Sequence, residues 1–169
     1  SSEQKFADDL IQFLIYVRSV ETENMNNSTD IIPLVNLTWV ELNTKVVDDV
    51  SLPLTVAFVY FWLLMQYGER GDKVFGHLAK QLRAAKQDEA LGVVPMVLDA
   101  HQSAMDYAKE NDDESQLGNP AWVIARSFCD LLYGTKRGAN SALVLFFARY
   151  VAKRFEVVEV GVREIGQKH

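Results

Sequence analysis

The 169-residue chain holds one cysteine, three histidines and four prolines, and each shortage removes a class of protein. With Cys129 as its single thiol the chain forms no internal disulfide, and no basic, apolar and small-residue leader precedes Phe6. An intracellular, cytoplasmic location is therefore expected. A zinc centre needs several Cys or His at close spacing, whereas His77, His101 and His169 are scattered, and no Glu stands three residues before a His as a diiron bundle requires. No glycine-rich phosphate loop of the nucleotide-binding kinds is present. We expect no metal and no cofactor. The longest apolar run, Leu54 to Met65, includes Thr55 and falls short of the roughly twenty residues of a bilayer span, so no membrane span is expected.

What is present is ordinary globular composition, 49% hydrophobic and 24% charged, and a length that suits one domain over residues 1–169. The net charge of −6 conceals a polarity. Residues 1–50 carry three cations against nine acids, a net of −6, while residues 121–155 carry six cations against Asp130 alone, a net of +5. The chain is acidic at the front and basic towards the back.

Hydrophobic spacing predicts a mostly all-α fold. Phe6, Leu10, Phe13, Leu14 and Val17 recur at helical intervals, and the polar stretch from Glu21 to Asp30 reads as a mobile loop, so residues 1–30 form an N-terminal helix and loop. Residues 31–50 are ambiguous. Pro33 interrupts them, Val35, Leu37 and Trp39 alternate like a strand, and Leu34, Leu37, Val40 and Leu42 fit a helix nearly as well; short helical pieces are the preferred reading.

Ser51 as N-cap and Pro53 in the first turn open a helix whose residues 54–67 are apolar on every side, and Gly68 ends it. Such a helix is expected at the centre of a bundle. Asp72 reads as the cap of a basic amphipathic helix, Pro95 as the start of another, and Asn119–Pro120 as the start of a third ending near Gly134. A last helix carries Leu143, Phe146, Phe147, Tyr150 and Val151. Val158, Val160 and Val162 alternate with Glu159, Gly161 and Arg163, which suits a short strand or exchanged arm at 156–165, pairing with residues 34–40 or with another copy. The expected architecture is thus a single-domain bundle of about five to six helices around helix 54–67, with 156–169 as a C-terminal arm.

Motifs for chemistry are weak. His77 and His101 invite a haem reading, but polar surface or cap histidines are the commoner explanation. Cys129 lies between Phe128 and Leu132 on an apolar helix face, the setting of an inert thiol and not of a nucleophile. The tripeptide Arg70–Gly71–Asp72 spells an adhesion motif and reads more simply as a turn and cap. No catalytic residue is assigned.

The basic segments carry the best functional pattern. Arg126, Lys136, Arg137, Arg149, Lys153 and Arg154 are candidates for a nucleic-acid-binding face, with Tyr133 and Tyr150 as stacking platforms. Lys73, Lys80, Arg83 and Lys86 form a second group. Together with the charge polarity, these features point to a non-enzymatic structural or assembly protein that self-associates and packages RNA, as a viral coat protein or nucleoprotein does, which would place it in the virion. The alternative is a monomeric helical adaptor that binds a partner helix or peptide.

Overall fold

The computed structural model describes residues 1–23, 31–32, 37–38, 49–111, 120–133 and 141–169. The fold is all-α in class. Its helices are α1 (Ser2–Glu23), α2 (Ser51–Tyr67), α3 (Glu69–Ala84), α4 (Val94–Asn111), α5 (Pro120–Tyr133) and α6 (Ser141–Gly166), with a 3-10 turn at Asp88–Leu91. The chain divides into two compact units. The first comprises Ser1–Met25, Thr44–Val94 and Phe155–His169, and the second Asn26–Asn43 and Pro95–Arg154, so the division falls inside α6.

In the first unit α3 packs against both α1 and α2, and the 3-10 turn closes on α2 and α3. Phe6, Ala7, Leu10, Leu14 and Val17 of α1 are buried at the 3–4-residue interval that the sequence shows. The reversal from α2 to α3 takes one residue, Gly68, whose φ of 55° and ψ of −127° suit glycine alone. Three residues later a Cβ on Gly71 would land on the Leu63 carbonyl, so glycine lets the two helices approach backbone to backbone.

Helix α2 is fully enclosed over Leu54–Val59 and at Leu63, and buried Thr55 donates its hydroxyl to the Ser51 carbonyl at 2.6 Å. Beyond that, Phe61, Trp62 and Leu64 are half-buried and Met65 is 66% exposed, so the apolar helix is not covered on all sides over its last two turns. Ser51 is its first helical residue and makes no side-chain cap, that position falling to Val50. Helix α3 begins at Glu69, before Asp72, which instead accepts the Tyr60 hydroxyl at 2.7 Å. Helix α4 begins at Val94, with Pro95 in its first turn.

Two expectations are overturned. The segment 156–165 is neither strand nor arm but the closing part of α6. Val158 and Val162 are 0% exposed while Val160 is 39% exposed, a helical and not an alternating pattern. The cause is tertiary packing that overrides β-propensity. Phe155 enters an aromatic cluster with Phe58, Phe61 and Trp62 at centroid distances of 5.0, 5.3 and 4.6 Å. The Trp62 indole N–H donates to the Phe155 carbonyl at 3.0 Å, and Gly161 lies against the Phe13 ring.

The preference for helical pieces at 31–50 also fails at Ile31–Ile32 and Leu37–Thr38, whereas Asp49–Val50 is helical. Ile31–Ile32 pairs antiparallel with Leu37–Thr38, in the register Ile31 to Thr38 and Ile32 to Leu37, so Leu37–Thr38 is the partner of Ile31–Ile32 and not of the tail. Pro33, which lacks an N–H, and the β-branched Ile31, Ile32 and Thr38 favour extended backbone here. Of the expected mobile loop at Glu21–Asp30, Glu21–Glu23 belongs to α1, and residues 24–30 lie outside the described residues.

In the second unit α5 buries Ala121, Ile124, Ala125, Phe128 and Cys129, and α6 buries Leu143, Val144, Phe147, Ala148 and Val151. Both sets keep the 3–4-residue interval. No described helix is long and apolar enough to cross a membrane.

Candidate nucleic-acid interface

The phase of each buried stripe decides where four of the six candidate cations point. On α5 the buried positions 121, 124, 125, 128 and 129 leave Arg126 on the outer face, exposed. Asp130, four residues on, shares that face and lowers its net positive charge. On α6 the buried series 143, 147 and 151 continues to 154, so Arg154 is turned inward and is 8% exposed. Arg149 and Lys153 fall on the opposite side, one turn apart and both exposed, with Leu145 and Ala152 exposed beside them. Lys136 and Arg137 lie outside the described residues.

Arg154 is therefore turned away from the exposed side that carries Arg149 and Lys153. Its guanidinium stands 5.4 Å above the Tyr150 ring, and burial brings its pKa down to about 10, still charged at neutral pH. The Tyr150 ring carries Arg154 on one face, which limits its use as a stacking platform; the Tyr133 side chain lies outside the described residues. The distinction was readable in the sequence, because Arg154 stands three residues after Val151 on the apolar stripe.

The second basic group sits on α3. Lys73, Lys80 and Arg83 are exposed on it, whereas Lys86 lies past its end with a φ of 59°. There Gln87 N–H bonds to the Leu82 carbonyl at 2.8 Å and Lys86 N–H to Arg83 at 3.0 Å, the pairing of a Schellman C-cap. A cleft of about 310 Å³ is lined by Glu3 of α1 and by Lys73, Gly76, His77 and Lys80 of α3.

Sequence reasoning missed the clasp around Arg70. Its guanidinium donates to Ser2 Oγ at 3.1 Å and to the His169 carbonyl at 3.0 Å, stands 3.8 Å from the Glu3 carboxylate, and lies over the Phe6 ring at 5.6 Å. His169 Nε2 is 2.7 Å from Asp9 Oδ2, and its ring stacks on Phe6 at 5.2 Å. The adhesion-like tripeptide is thus part of the scaffold, with Arg70 in this clasp, Gly71 under Leu63 and Asp72 bonded to Tyr60.

The remaining chemical candidates are quiet. Cys129 is 0% exposed, and burial, aided by the Asp130 charge, pushes its thiol up to about 12, so at neutral pH it is neither a thiolate nor accessible. His101 is buried and its pKa is lowered by desolvation, while His77 lines the cleft. The two belong to different compact units, so no described geometry pairs them as haem ligands. Comparison with protein-family models, curated proteins and solved structures finds no match to this chain.

Proposed function

We propose that the chain is a non-enzymatic assembly protein that binds single-stranded RNA along the outer face of α6, in the manner of a coat protein or nucleoprotein. The observation that carries this reading is the pair Arg149 and Lys153. Both are exposed one turn apart, in a stretch from Ser141 to Phe155 that contains no acid. Cations so placed hold phosphates through Coulomb attraction and charge-assisted hydrogen bonds, and the first acid along α6 is Glu156, exposed three residues after Lys153.

Self-association draws its support from apolar surface. Ile15, Tyr16 and Met65 of the first unit are each more than half exposed. The acids of α1 support it less. Glu3, Asp8 and Asp9 are engaged by Arg70, by Gln81 at 2.5 Å and by His169.

Size-exclusion chromatography with light scattering at low and high salt, recorded at 260 and 280 nm, tests both halves of the reading. The proposal expects oligomers and co-purifying nucleic acid that dissociates as salt rises. A clean monomer with no 260 nm excess at any salt would leave the monomeric adaptor as the better reading.

A further inference from the structure

We infer that the cleft on α3 is a second anion site, one that takes a phosphate group between Lys73 and Lys80. These two lysines and His77 occupy positions i, i+7 and i+4 of one helix face, and all three line the cleft. The two lysine backbones are about 10 Å apart along the axis. Two flexible four-carbon stems close that gap around a phosphate, and the His77 imidazole lies between them as a further hydrogen-bonding group.

Gly76 leaves room on this face. A glycine in mid-helix is disfavoured against alanine, yet a Cβ at this position meets nothing within 4 Å. Steric need therefore does not account for the glycine. What its missing side chain provides is open space beside the helix backbone, on the lining of the cleft. The one acid on the lining, Glu3, stands 3.8 Å from Arg70, which offsets its charge. The cleft belongs wholly to the first unit and does not depend on the face of α6.

The test is an NMR titration of the full ¹⁵N-labelled chain with inorganic phosphate at constant ionic strength, with potassium chloride as the control. Saturable shifts centred on the Gly76 and His77 amides are expected with phosphate and not with chloride. Lys73→Gln with Lys80→Gln weakens phosphate binding about tenfold or more. Gly76→Phe, whose ring enters open space, keeps the helical circular dichroism and removes the saturable shifts. Arg149→Glu with Lys153→Glu leaves the titration unchanged, so this site stands or falls apart from the RNA reading. A short single-stranded RNA added to the phosphate complex identifies the source: competition assigns a nucleic-acid backbone, and its absence assigns a free phosphate ester. Shifts that stay linear and match chloride, or unchanged affinity in the double lysine variant or in Gly76→Phe, would overturn the inference.

Discussion

The two parts of α6 differ in nearly every property that matters. Residues 141–155 carry three cations and no acid, and expose Arg149 and Lys153; residues 156–166 carry three acids and one cation, and bury Val158, Gly161, Val162 and Gly166. The first part belongs to the second unit and the remainder, from Phe155, to the first. One helix thus presents a basic face in one unit and supplies core to the other. The difference teaches that a local charge count is not a surface. Of the six cations between residues 121 and 155, the structure exposes Arg126, Arg149 and Lys153 and turns Arg154 inward.

The largest expected effect lies in the acidic part. A Cβ on Gly161 would stand 2.5 Å from the Phe13 ring, so Gly161→Leu overfills the contact between α6 and α1 and costs roughly 3 kcal/mol, measured by urea denaturation. A tail that were a free arm would tolerate it. Val158→Ala is expected to cost about 2 kcal/mol and Val160→Ala less than about 0.5 kcal/mol, because only Val158 is fully buried. Equal costs would mean an alternating strand.

These valines show where the sequence was legible and where it was not. The helical spacing of Phe6, Leu10, Leu14 and Val17, the Pro53 and Gly68 boundaries of α2 and the Pro120 start of α5 were read correctly because strong periodicity and backbone punctuation are local properties. The tail was misread because Val-Glu alternation is also local, while Phe155, Trp62 and Phe13, which stabilise the helix, meet it only in three dimensions. The Arg70 clasp was invisible for the same reason, joining positions 2, 3, 70 and 169. Of the candidate site, the exposure of Arg149 and the burial of Arg154 follow from one apolar stripe, but the cleft at Gly76 needed α1 beside α3.

A smaller effect separates the two arginines. Arg154→Ala is expected to cost about 2 kcal/mol through lost packing and ring contact, and to leave the salt dependence of RNA binding unchanged. Arg149→Ala reverses this, with less than about 0.5 kcal/mol in stability and a shallower salt slope.

A pH-dependent effect appears in alkali. Cys129 holds its proton in the folded state up to about 12, against a usual value of 9.0, so the unfolded chain loses that proton first and stability falls as pH rises through this window. The loss is about 1.4 kcal/mol per pH unit above 9 at most, seen as the difference between the native chain and Cys129→Ala. A thiol that reacts with a disulfide reagent at neutral pH in the folded protein would contradict its burial.

The most direct test of the central claim is the slope of log affinity against log salt for a short single-stranded RNA, compared between the native chain and Arg149→Glu with Lys153→Glu. Each phosphate contact on a single strand contributes about 0.7 to that slope, so the double reversal is expected to weaken binding and to flatten the slope by about 1.4. An unchanged slope, or a native chain that binds no RNA at low salt, would contradict the assignment of an RNA-binding face to α6.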